Sequence, residues 1–348
     1  MQKGITINSK NITLLKPITA ADYKSKTVLT DSSWEYVELW LKRHKDVKSK
    51  EALFYWQQAK NFFDASECLP LNSKPLTSYY CCMNATKALL CIHGTDVEDI
   101  HHGISHKKNV RNNYSLEKEV VTFKGGGVLN ELCKYLGEDA NKHDYTIKDL
   151  LYNIPCIHRA FTITYSGATE LFIPINNLKF IREDSTAKCW IEFCVPPRYA
   201  NGKALKNLPK NYEHTHAKSN NYYIRRKSNR FKWDIHSDWE DRISNLVSYH
   251  NRIRKELFYI TGEQTLWYVK KEISNNKHII HRSSLTLIFA VMHWMSELVR
   301  YNPQRFEMYM ESKQNWLLHE FIDIALYQFI DEISCELTHQ QILSTRHR

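Results

Sequence analysis

Apolar positions recur at helical spacing through the first third of the chain. Trp34, Val37 and Leu41 share one face, and Ser32 precedes Glu35 in the order of a capping box, so a helix starts just after Ser32. Ala52, Trp56, Ala59, Phe63 and Ser66 keep a similar register and predict a second helix over residues 50–68. Pro70 and Pro75 bound a loop, after which SYYCCMNATKALLCIHG (residues 78–94) reads as a third helix ended by Gly94. Tyr79, Met83, Thr86 and Leu90 form one stripe of it, and Tyr80, Asn84, Lys87 and Cys91 another. Little of its circumference is polar, so burial on most sides is expected.

Residues 95–124 read as loop with one strand at Val120–Phe123. Gly125-Gly126-Gly127 leads a short helix over 128–136, and another over Ile147–Tyr152 stops before Pro155. Segments 161–165, 170–173 and Lys188–Val195 are then rich in β-branched and aromatic residues and predict a small antiparallel sheet. Residues 196–232 read as polar and irregular. A second capping-box pattern at Ser237 and Glu240 opens a helix to Arg254, and 256–260 and 265–269 flank the turn around Gly262 as a hairpin. Two helices close the chain, Ser284–Tyr301, stopped by Pro303, and 313–337.

The expected class is therefore α+β and predominantly helical, a helical scaffold with an inserted small antiparallel β-sheet. The expected organisation is an N-terminal arm at 1–30 and a helical region at 31–155. A β-rich insertion at 156–270 carries a basic segment and one helix, and C-terminal helices at 271–348 pack back on the first helical region.

Composition narrows the function. With 43% hydrophobic and 12% aromatic residues, the 348-residue chain is a folded one. Its net charge of +10 favours anionic partners, nucleic acid first. Nine cysteines without a CxxC pair read as reduced thiols. The N-terminus lacks a signal-peptide core, and the apolar run 285–295 is too short to span a bilayer, so a soluble cytoplasmic protein without a membrane partner is expected.

Lys87 in so apolar a helix must snorkel, lose its proton or meet an anion. One reading is a structural ion pair. The other places Asn84 and Lys87 in a polar pocket for an anionic ligand such as phosphate. Arg300, at the end of the apolar helix, either caps its last carbonyls or converges with Lys87 and His102 on that cleft. The candidate pocket is thus Tyr80, Asn84, Lys87, His102 and Arg300. Between residues 203 and 232 stand nine Lys or Arg and one acid, Glu213, interleaved with Tyr212, Tyr222, Tyr223 and Phe231. Cations beside stacking rings describe a nucleic-acid surface, with Lys218, Arg225, Arg226, Lys227, Arg230 and Lys232 as its contacts. A solvated loop, or one that docks on an acidic protein, is the alternative.

Several of these segments together resemble the YaaC-like family of bacterial proteins over roughly residues 32–337. They are Tyr79-Tyr80 with Asn84 and Lys87-Ala88-Leu89, the loop His102-Gly103-Ile104-Ser105, and the glycine-led helix Gly127-Val128-Leu129-Asn130-Glu131-Leu132. The block from Met295 through Arg300-Tyr301-Asn302-Pro303, and Ser312 ahead of the last helix, complete the set. The helical half is more faintly similar to the HEPN superfamily, which includes ribonucleases and nucleic-acid-linked modules of bacterial conflict systems. HEPN nucleases use Arg-x4–6-His, a cation beside an acid or base. The one match here, Arg230 to His236, lies outside the helical half that carries the other motifs.

The implied function is a cytosolic binding or scaffold protein that contacts nucleic acid, RNA or DNA, or an acidic protein partner within a multi-protein, antiviral-defence complex. The alternatives are a metal-independent ribonuclease, with Arg230, His236 or His102 in acid–base roles, and a purely structural partner subunit. Cys91, His93, His101 and His102 match no common zinc spacing. No Walker, GxSxG, HExxH or GxGxxG motif occurs, so neither metal nor cofactor is expected.

Overall fold

The computed structural model describes residues 2–7, 9–107, 114–218, 221–226, 228 and 230–344. The chain forms two compact units, each assembled from segments distant in sequence. One comprises residues 1–28, 170–276 and 339–341, the other residues 29–169, 277–338 and 342–348.

The first unit is built on an antiparallel sheet of eight strands. Its main path runs Tyr212–Lys218, Asn221–Arg226, Lys188–Val195, Phe172–Glu183, Leu266–Lys270, Leu257–Ile260. Gln2–Gly4 pairs with Phe172–Glu183, and Phe231–Lys232 with Lys188–Val195. This corrects the expectation of a predominantly helical chain with a small sheet: helix and sheet are both major, and the class is mixed α+β. The strands were hard to see for local reasons. Pro174 and Asn176-Asn177 read as turn residues, yet they lie inside one long strand. The register shifts there, and Asn177 takes up a positive φ of 51°. Tyr212–Lys218 and Asn221–Arg226, read as irregular, are paired antiparallel strands, and their alternation is broken by a register shift between His214 and His216.

The helix Trp239–Arg254 buries Ile243, Leu246, Tyr249, His250 and Ile253 in this unit's core. Asp238, one residue later than the capping-box reading, caps it. From the expected N-terminal arm, Ile5, Ile12, Leu14 and Tyr23 enter the same core. His250 Nε2 donates to the Pro17 carbonyl at 2.7 Å and Nδ1 accepts from the Tyr23 hydroxyl at 2.8 Å.

The second unit holds the long helices Ser33–Arg43, Val47–Glu67, Lys74–Ile92, Ser284–Tyr301 and Asn315–Thr338. The Ser32 hydroxyl caps the first of them. Lys74–Ile92 packs between Val47–Glu67 and Ser284–Tyr301, and residues 284–296 of the latter are buried on every side. Pro303, read as a terminator, also opens a helix of its own, Pro303–Met310, where its missing N–H is not needed. A three-stranded antiparallel sheet, Ile104–Lys107, Val120–Phe123 and His143–Thr146, completes the unit with short helices. Residues 161–164, part of the segment 161–165 read as strand, lie in the helix His158–Thr164, with Phe161 buried and Ile163 outward. Among the described residues no helix is long and apolar enough to cross a membrane.

Candidate functional site

In the helical unit, two glycines bring the histidine loop onto the start of the helix Val128–Tyr135. The carbonyls of His101, His102 and Gly103 accept from the amides of Val128 at 2.8 Å, Leu129 at 3.2 Å and Lys124 at 2.9 Å. Gly103 and Gly127 both take positive φ, 79° and 103°. This crossing uses the first amides of the helix, so Gly125-Gly126-Gly127 sets a close backbone approach and leaves those donors to the loop, not to a phosphate.

The crossing places His102 at a cavity of about 300 Å³. Tyr79 and Tyr80 reach it from Lys74–Ile92, and Ser105 from the adjoining strand. His293, Ser296, Glu297 and Arg300 follow at i, i+3, i+4 and i+7 along one face of Ser284–Tyr301. Lys124 is exposed at the rim.

Electrostatics set the protonation of these groups. The Tyr79 hydroxyl is bonded to His102 Nδ1. Burial, and then its neighbours, push the Tyr79 pKa up, so the phenol keeps its proton and donates. His102 therefore carries its own proton on Nε2. Its pKa is lowered by burial and then by the charges of His101, Lys87, Arg300 and Lys124. His293 is held at about 3, by burial first and then by His102, His106 and Lys124. Two neutral imidazoles thus stand in a positive field.

Behind Glu297 lies a buried network centred on Glu119. The two Glu297 oxygens lie 3.8 Å from His293 Nε2 and 3.8 Å from His106 Nδ1. His106 Nε2 stands 2.6 Å from Glu119, whose side chain is 0% exposed. Glu119 also accepts from Arg305 Nε at 3.0 Å, the Tyr309 hydroxyl at 2.8 Å and Trp294 Nε1 at 3.3 Å. Burial alone would raise this carboxyl, but the bonds from His106, Arg305 and Tyr309 outweigh it and hold the pKa at about 2.

Of the residues singled out in the sequence, Tyr80, His102 and Arg300 line this cavity. Asn84 does not, and its amide donates back one turn to the Tyr80 carbonyl at 2.8 Å. Lys87 is half-buried, with its ammonium 5.2 Å from the centre of the Tyr55 ring. Burial lowers its pKa, and Asp99 opposes that. What answers the lysine at close range is an aromatic face. Tyr79, Lys124, His293 and Glu297 were missed as site residues. The one signal was His293, which interrupts an apolar run with Glu297 four residues on.

The basic segment is largely committed to its own unit. Arg226 is 2% exposed and bonds Glu256 at 2.9 Å. Arg225 pairs with Glu213 at 2.6 Å, and both Arg225 and Arg230 lie over the ring of Trp190. Lys232 stands 3.3 Å from Asp234. Lys227 lies outside the described residues, and of Lys218 only the backbone, in Tyr212–Lys218, is described. His236 is exposed, and no hydrogen bond joins it to Arg230 among the described residues. The metal-type residues do not gather either: Cys91 Sγ lies 3.5 Å from the Lys48 carbonyl, and the His93 ring packs on Tyr135.

A family model described as YaaC-like Protein matches residues 17–337. Neither a curated protein nor a solved structure matches the chain. With the match spanning most of its length, the chain belongs to the YaaC-like family.

Proposed function

We propose that the helical unit is a binding module for a phosphate-bearing ligand, a nucleotide or the end of a nucleic-acid strand. The observation that carries the reading is the cavity itself. Lys124 and Arg300 stand at it, and their charges and that of Lys87 act on His102 beside tyrosine walls. A phosphate brings the negative charge this field favours, and a base brings a ring to the tyrosines. The basic hairpin of the other unit contributes less to this reading, since Arg225 and Arg226 already have carboxylate partners. The test is calorimetric titration with nucleoside monophosphates and short 5′-phosphorylated RNA and DNA across a range of salt. Replacing Lys124 and Arg300 together with alanine is expected to weaken binding at least tenfold and to flatten its salt dependence. No binding at low salt overturns the proposal.

Ribonuclease chemistry is the second reading, favoured by the bond from Tyr79 that fixes the His102 tautomer. Cleavage of RNA in the presence of a chelator, lost in His102→Ala, would establish it. Binding without cleavage leaves the module. A role inside a multi-protein defence complex goes with either reading and is tested by recovery of a fixed protein partner with the tagged chain.

A further inference from the structure

We infer that the ligand of this cavity presents adjacent N–H donors at its inner end, guanine being the base that fits, and that Glu297 reads them. The inference rests on the proposed phosphate-binding reading and narrows it to a ligand class.

The cavity is not uniformly positive. Along one face of Ser284–Tyr301 the exposure falls from rim to floor: Arg300 and Tyr301 are exposed, the Glu297 side chain is 33% exposed and that of His293 is 5% exposed. A ligand lying on this face meets a guanidinium at the rim and a carboxylate one turn deeper, about 4.5 Å along the axis. A phosphate is attracted by the first and repelled by the second. The ligand therefore points its anion outward, and what it offers inward must donate hydrogen bonds. The floor is polar in other respects too: His293 Nδ1 has no hydrogen-bond partner among the described residues.

Between the two ends the walls are flat rings. Tyr80 is stacked on Phe62 with ring centroids 5.3 Å apart, and Tyr79 is held edge-on by Phe289 and His293. Rings fixed in this way favour a planar group between rim and floor. The volume of about 300 Å³ is at the small end for ligand sites, suited to a mononucleotide or a single terminal nucleotide.

Guanine carries two neighbouring donors, N1–H and the exocyclic amine, aimed in one direction. A carboxylate has two oxygens in matching geometry and accepts both. Adenine offers one amine beside the N1 lone pair, which a carboxylate repels. His106 Nδ1 and His293 Nε2 each lie 3.8 Å from a Glu297 oxygen, beyond hydrogen-bond distance.

The experiment is titration of the full chain with GMP, IMP, AMP and inorganic phosphate. GMP is expected to bind at least tenfold more tightly than AMP, with IMP, which lacks the exocyclic amine, in between. Glu297→Gln should bring the GMP to AMP ratio close to one, and Glu297→Asp, which keeps the carboxylate, should restore a preference for GMP. AMP binding as tightly as GMP overturns the inference, as does a Glu297→Gln variant that weakens all nucleotides alike. Phosphate binding without any base preference sinks this inference and leaves the phosphate-binding reading standing. No binding of any of the four probes sinks both.

Discussion

Gly127 leaves no room for a side chain against Gly103: a Cβ there would lie 2.4 Å from the Gly103 Cα and 2.6 Å from the His101 carbonyl oxygen. The obstacle is backbone, which cannot rotate away, and both glycines hold positive φ. Gly127→Ala is expected to destabilise the chain by about 1–3 kcal/mol from backbone strain alone, and to weaken ligand binding because His102 is displaced. Gly167→Ala is the control, since nothing lies within 4 Å of its Cβ position. It should stay within about 0.5 kcal/mol of the wild type. Urea unfolding of the two variants makes the comparison.

Tyr79 sets the tautomer of His102. In Tyr79→Phe the imidazole loses its donor at Nδ1, and the two neutral tautomers become mixed. Nitrogen-15 NMR of the His102 ring should show the proton on Nε2 in the wild type and shared between the nitrogens in the variant. The lost bond is worth about 0.5–1.5 kcal/mol of stability. An unchanged ring spectrum would mean that the Tyr79 hydroxyl does not control the site.

Arg305 and Glu119 form a buried pair in which the carboxylate has no access to water. Arg305→Ala leaves that charge uncompensated and is expected to destabilise by about 3–5 kcal/mol. Glu119→Gln together with Arg305→Ala should lose less than the sum of the single changes. A double-mutant cycle in urea measures the coupling. A coupling near zero would mean that Glu119 relies on His106 and Tyr309 instead.

Three buried groups lower the stability as pH falls, and they act against the buried carboxyls of Glu138 and Glu256, whose pKa values burial raises. His250 and His293 have folded pKa values of about 3, well below 6.5. Between those values the unfolded chain takes up protons that the folded chain refuses, so stability falls as pH drops from about 6.5 toward 3. Glu119 is held at about 2, below its ordinary 4.5, so its contribution is present above 4.5 and lost as pH falls through about 2. In urea midpoints from pH 7 to pH 4, His250→Gln should therefore lose less stability on acidification than the wild type, and an unchanged slope would mean that His250 does not carry it.

The sequence carried the helical unit well because its apolar spacing is regular. Ser284–Tyr301 has the bounds expected from the apolar run and Pro303. Lys188–Val195 was as legible, being central and buried from Cys189 to Val195. Where tertiary packing overrides local preference, the reading failed. Phe-Thr-Ile-Thr at 161–164 has strand composition, yet it forms a helix that turns Phe161 inward and Ile163 to solvent. The extent of the sheet was hidden by a bulge at Asn176 and Asn177 and by a hairpin whose alternation slips at His214. For the site, motif order pointed to Tyr80, His102 and Arg300. It misled at Lys87, because a ring face on a neighbouring helix can answer a cation and leaves no mark near the lysine in the chain. Glu119 was invisible for the same reason, since its donors come from residues 106, 294, 305 and 309.

The cavity takes one wall from Lys74–Ile92 and the other from Ser284–Tyr301, and residues 93–283, the sheet-bearing stretch among them, are translated in between. At about 5–20 residues per second that interval is roughly 10–40 s. Throughout it Val47–Glu67 covers one flank of the earlier helix, and the flank that will face Ser284–Tyr301 has no partner helix yet. A nascent chain halted before residue 284 should therefore recruit holding chaperones, and should let go of them once the later helix leaves the exit tunnel.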